Sequence, residues 1–144
     1  MQYYYFDNEH AIQVQDYIIK ESGGRLGLLN IGLLESILEH VQNDFYYPTL
    51  EDKLCHLFFS INKNHAFNDG NKRSSIVLSA YFLEINGADF IVDRFIKEME
   101  NIAVNVADNK IDKTLLHEII CELIYKLEFS ESLQLKLAQA LMKN

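Results

Sequence analysis

Residues His65–Gly87 read HAFNDGNKRSSIVLSAYFLEING. The two halves of this stretch have opposite character. From Arg73 onward the pattern is that of a helix apolar on most of its faces and stopped at Gly87. A helix of that kind belongs at the centre of a fold. Ahead of it, between residues 65 and 73, stand a histidine, a carboxylate, a glycine and two adjacent cations. A buried helix with a charged segment at its N-terminus predicts a helical bundle with chemistry at one end.

The flanking sequence carries the same period. Residues 8–21 form a first helix, with Asp7 or Asn8 as N-cap and Gly23-Gly24 as the stop. Asn30–Gln42 is a second, with Leu33, Leu34, Ile37, Leu38 and Val41 on one face. Thr49 and Asp52 are spaced as a capping box and start a third, which carries Leu50, Leu54, Leu57, Phe58 and Ile61 to about Asn64. Asn64 tolerates the left-handed conformation that often ends a helix. Beyond the central helix, "ADFIVD" suggests a short extended piece, and Asp93 a cap for "RFIKEMENIAVNVA". "DKTLLHEIICELIYKLEF" is amphipathic through Leu127, and Ser130 caps a last helix. The fold class expected is all-α, a bundle of six or seven helices.

Composition narrows the function classes. The chain has 144 residues, 49% of them hydrophobic, which is the size of one domain with a real core. The net charge of −8 repels a phosphate backbone and argues against a general nucleic-acid binder. Neither a membrane span nor a signal peptide is visible, so a cytoplasmic protein is expected. Cys55 and Cys121 sit in the apolar strings "KLCHLFF" and "EIICELI", as reduced thiols do, with no CxxC spacing. His10, His40, His56 and His117 lie in helical context without metal-ligand spacing and read as structural or surface residues.

The polar segment is different. It joins the end of one helix to the start of a buried one, so its residues are close in space. The free backbone N–H groups from Gly70 to Ser74 form an anion site aided by the helix dipole. Gly70 permits a sharp turn, Lys72 and Arg73 add positive charge, and Asn71 offers an amide donor. Lysine and arginine at a helix N-terminus oppose the dipole and therefore ask for a reason. A polyphosphate brings magnesium, and Asp69 is the carboxylate within reach. His65 is a general base for an incoming hydroxyl. Phe67 turns inward and pins the loop. The combination points to transfer of a phosphate-containing group from a nucleotide to a hydroxyl. An ordinary polar turn is the alternative, since Asp-Gly and Asn-Lys are common turn chemistry.

His65, Phe67, Asp69, Asn71, Lys72 and Arg73 stand in the spacing of a known signature. The segment resembles that of the Fic/Doc (Fido) family, whose Fic form reads HxFx(D/E)GNGRxxR and whose death-on-curing (Doc) form reads HxFx(D/N)xNKR. Gly70 fits the Fic form as well, and "SGGRLGLLNIGLLESILEHV" resembles a Gly-Gly…GLLESAL segment of Doc-like proteins. The resemblance runs from about Tyr3 to Phe90. It implies one Fido domain over residues 1–144, with 128–144 a C-terminal helical extension. It implies His65 as catalytic base and Asp69 as the magnesium ligand. Asp69, Gly70, Asn71, Lys72 and Arg73 would bind the phosphates of ATP, and Phe67 would anchor the loop. A short extended flap is expected opposite the loop, around Asn43–Thr49.

Two positions depart from the Fic form. Lys72 replaces a glycine, and Ile76 stands where a second arginine would be. In the family the glycine leaves room for attack at the α-phosphate, giving AMP transfer, whereas Doc-type proteins present the γ-phosphate. The resemblance therefore implies a toxin that phosphorylates a Ser or Thr hydroxyl of a target protein such as a translation factor, with a small antitoxin as partner. AMP transfer and a catalytically silent binding module are the alternatives. The family's inhibitory string (S/T)xxxE(G/N) is approached by Thr114–Ile119, "TLLHEI", which fails at its last position. An R-x4-6-H ribonuclease motif is not formed by Arg25, Arg73 or Arg94.

Overall fold

The computed structural model describes residues 2–25, 27 and 30–143. Its elements are α1 (Asn8–Ser22), α2 (Ile31–His40), α3 (Leu50–Asn64), α4 (Asn71–Ile85), a 3₁₀ turn (Asp89–Ile91), α5 (Val92–Ala107), α6 (Lys113–Tyr125) and α7 (Glu131–Leu141). The all-α bundle is thus present, with seven α-helices among the described residues.

Most helices start where a side chain can replace the missing acceptor of the first turn. Asp7 accepts from the His10 N–H at 2.9 Å, Asn30 from Leu33 at 3.2 Å, Asp112 from Leu115 at 2.8 Å and Ser130 from Leu133 at 3.2 Å. The expected capping box of α3 is complete. The Thr49 hydroxyl accepts from the Asp52 N–H at 3.2 Å, and the Asp52 carboxylate accepts from the Thr49 N–H at 3.3 Å.

α3 and α4 form the central pair. α4 packs on α1, α3 and α5, while α3 also carries α2 and α6; α7 lies on α6. α4 buries Ile76, Leu78, Phe82 and Leu83, and its buried Ser74, Ser75 and Ser79 let neighbouring backbones come close. α3 answers with Leu54, Leu57, Phe58 and Ile61, each almost fully buried. A buried residue of this size contributes about 1.5–3 kcal/mol, so this seam fixes the ends of both helices.

Several boundaries differ from the sequence reading. α4 starts at Asn71, two residues before Arg73, so Asn71, Lys72 and Arg73 make up its first turn. The left-handed residue after α3 is His65 (φ 51°, ψ 48°), because the helix runs through Asn64. Residues 89–93 are helical rather than extended, with Ala88 as the link from α4. Gly87 (φ 80°) closes α4 by bonding its N–H to Glu84 O, and Ala88 bonds to Leu83 O, so the chain turns at once into the next helix. Asp93 then lies inside the first turn of α5, whose N-cap is Ile91. α6 stops at Tyr125, which leaves Leu127 95% exposed.

The connector 43–49 is a turn rather than an extended flap. It is tied to the N-terminal end of α3 by Lys53, whose Nζ donates to Val41 O at 2.9 Å and to Asp44 at 2.8 Å. A helix the length of α3 separates it from the polar loop by about 20 Å. The backbone that does lie beside that loop is at residues 24, 25, 27 and 30. Asn68 N–H bonds to Gly27 O at 3.1 Å, and Asn30 N–H to Ala66 O at 3.0 Å.

Candidate active site

The loop from His65 to Gly70 joins the C-terminus of α3 to the N-terminus of α4. Its shape is fixed from below. Ala66 and Phe67 are both 1% exposed, so the Phe67 side chain is turned into the core beneath the loop. The Asn71 side chain clasps the same residue: its Oδ1 accepts from the Phe67 N–H at 3.3 Å, and its Nδ2 donates to Phe67 O at 3.0 Å. Asn71 therefore spends its amide on holding the loop in this structure, although it also lines the cavity described below.

Gly70 is the N-cap of α4 in the left-handed region (φ 72°), and no side chain caps that end. A Cβ there would come within 2.9 Å of Ile19 Cδ1 and 3.0 Å of Gln15 Nε2, so the position excludes side chains by space as well as by φ. Ser74 N–H already bonds to Gly70 O at 2.9 Å. The N–H groups of residues 71–73 precede the first intrahelical bond and are left for an anion. Lys72 and Arg73 are exposed at the same end, and that turn contains no acidic residue.

Asp69 is held as a carboxylate. One oxygen accepts from the Gly70 N–H at 2.8 Å and the other from the Arg25 N–H at 3.3 Å. These bonds, with the charges of Arg25 and Arg73, lower its pKa below the usual carboxylate range. Gly24 (φ 121°) backs it so closely that a Cβ would sit 2.7 Å from Asp69 Oδ2. On the inner side Gln15, only 2% exposed, donates from Nε2 to Asp69 O and accepts the Ser74 hydroxyl proton at Oε1.

His65, Asp69, Gly70, Asn71, Lys72 and Arg73 all line one cavity of about 350 Å³, completed by Gly23, Asn62, Asn68 and Ala107. That is the lower end of the range for ligand pockets. The His65 ring is exposed at its edge, held out by the left-handed backbone. Six of the residues singled out in the sequence, five polar side chains and Gly70, thus line one cavity. Gln15, Gly24 and Arg25 also touch Asp69, outside the segment that the sequence motif marks. Gln15 left a signal, since it interrupts the buried stripe Ala11, Ile18, Ile19 of α1.

The chain belongs to the Fic/DOC family. The model of that family matches residues 5–83, from the approach to α1 to near the end of α4. Toxin Doc of Mycolicibacterium smegmatis is 39% identical over 94 residues, covering 60% of this chain and 72% of that protein. The likeness places the chain on the Doc branch of the family. The matched span holds α1 to α3, the loop and nearly all of α4, and α5–α7 lie outside it.

A second polar cluster, at the α3–α6 seam, has other properties. His117 Nε2 is 2.7 Å from Asp52 Oδ1, and Cys121 Sγ is 3.6 Å from His117 Nδ1. The order of groups is that of a thiol nucleophile with its base. However, burial and the carboxylates of Glu51, Asp52, Glu118 and Glu122 push the Cys121 thiol up to about 11, and burial pushes Cys55 up to about 12. Both thiols remain protonated and inert, as structural cysteines do. No group of three or more His, Cys, Asp or Glu among the described residues is arranged to hold a metal ion. No described helix is long and apolar enough to cross a membrane.

Proposed function

We propose that this protein is a Doc-like toxin that transfers the γ-phosphate of ATP to a Ser or Thr hydroxyl of a target protein. One observation carries the reading: a general base, a tethered carboxylate and two cations line a single cavity at the uncapped N-terminus of a buried helix. His65 takes the proton of the target hydroxyl. The N–H groups of residues 71–73, with Lys72 and Arg73, hold phosphate oxygens.

The donor set suits magnesium. Each Asp69 oxygen keeps lone pairs beyond its one backbone bond, and Mg2+ asks for one or two carboxylates together with phosphate oxygens. Bound at Asp69, the ion would neutralise charge on the transferring phosphate. Phosphorylation is favoured over AMP transfer by Lys72, which fills the first turn of α4 where a glycine would leave space. Ile76, 8% exposed, stands where the Fic form has a second arginine and adds no further cation to Lys72 and Arg73.

A toxin needs restraint, and no glutamate among the described residues lines the cavity to supply it. A small antitoxin protein is therefore the partner we propose, and a translation factor the class of target; the protein would act in the cytoplasm. Incubation with α- and γ-labelled ATP and a cell extract tests the reading. Label should pass to protein from the γ position. Transfer from the α position alone overturns it in favour of AMP transfer.

A further inference from the structure

We infer that Gln15 of α1 is a positioning residue of the active site: it sets the backbone of Asp69 and Gly70, and so the place of the metal carboxylate and of the α4 N-terminus. Gln15 touches none of the reacting groups. Its side chain is almost fully buried between the loop and α4. Hydrogen-bond accounting fixes its orientation. Asp69 O can only accept, so the amide nitrogen must face it. The amide oxygen then faces Ser74, whose hydroxyl has one proton to give. Gly70 O, at 2.9 Å from the same hydroxyl, already accepts the Ser74 N–H at 2.9 Å, so Gln15 is the acceptor in need.

The side chain thus braces two points that must keep a fixed separation. One is the residue that carries the metal carboxylate; the other is the first turn that carries the phosphate-binding N–H groups. Contact at Gly70 closes the gap, because a Cβ there would meet both Gln15 and Ile19. α1 is therefore part of the site although none of its residues faces the cavity; Gly23, just beyond its end, does.

The test compares the full-length protein with Gln15→Met, which keeps the volume and loses both bonds, and Gln15→Glu, which keeps an acceptor for Ser74 and sets an oxygen against Asp69 O. Two quantities are measured well below the thermal midpoint. The first is residue-resolved amide hydrogen exchange. Exchange should rise at residues 67–73 in both variants and stay unchanged in α6. The second is affinity for magnesium-ATP, which should weaken roughly tenfold, the factor expected for one good hydrogen bond. The affinity arm rests on the proposed function; the exchange arm does not. If the parent protein fails to bind magnesium-ATP, the functional reading falls and exchange alone decides the role of Gln15. Exchange raised evenly through the chain, or a loop unchanged in both variants, overturns the inference. So does wild-type affinity in a variant whose loop has loosened.

Discussion

His65 combines two demands that usually conflict. Its backbone is left-handed, a conformation that costs a residue with a Cβ about 1–2 kcal/mol, while its ring is turned out to the cavity edge. Strain of this kind persists where the surroundings over-determine it. His65→Gly should therefore be no less stable than the parent in chemical denaturation, and should lose transfer to the target by at least ~10²-fold in the labelled-ATP assay. Gly70→Ala is the mirror case. Its φ of 72° and the contacts with Ile19 and Gln15 should cost about 1–2 kcal/mol in the same denaturation experiment, with weaker magnesium-ATP binding.

At the scale of elements, α3 carries a pH-dependent part of the stability. His56 is 7% exposed and bonds through Nε2 to Ile37 O at 3.2 Å and through Nδ1 to the Ser60 hydroxyl at 3.4 Å, the pattern of a neutral ring. Burial pushes its pKa down to about 4, with Lys113 and His40 adding to the effect. The folded state thus prefers the neutral form. Its contribution is complete above the unfolded value near 6.5 and is lost as pH falls toward 4, a drop on the order of 3 kcal/mol. Denaturation midpoints measured across that window should fall, and His56→Gln should flatten the fall. Several helices were legible because their caps are local: Asp7, Thr49 with Asp52, and Ser130 each speak to residues three positions on, whereas Asn30, read as the first residue of α2, is its cap. The start of α4 was misread for the same reason. Its N-cap is a glycine with no side chain to announce it, and Asn71 looks like a turn residue until its bonds to Phe67 are seen. The extended reading of residues 88–93 failed because the closing bonds of α4 to Gly87 and Ala88 leave no room for a strand.

Across the whole molecule, α5, α6 and α7 lie beyond the matched family span, yet they complete the core around α3 and α4. Ending the chain after residue 128 removes the buried Leu133 and the Ser130 bonds to Glu122. We expect a loss of about 1.5–3 kcal/mol for Leu133 alone, read as a lower thermal midpoint, with magnesium-ATP affinity retained because α7 contributes nothing to the cavity lining. The candidate site was legible where one sequence segment supplies its lining, from His65 to Arg73. The rest, Gln15 of α1 with Gly24 and Arg25 just beyond its end, lies 44 to 54 residues from Asp69 in the chain, and the packing of α1 on α4 brings it there. The expected flap was misplaced for the same reason, since no local pattern tells which connector the fold lays beside the loop.

Phe67 sealed beneath the loop has a consequence for the timing of order. With Asn71 clasping its backbone and residues 27 and 30 bonded alongside, the 65–70 segment gives up its conformational entropy when the chain folds, not when a ligand arrives. Ligand entry should then be nearly a rigid-body event. Calorimetric titration should show a heat-capacity change no larger than the ligand's own buried surface requires, without the excess that a folding loop would add.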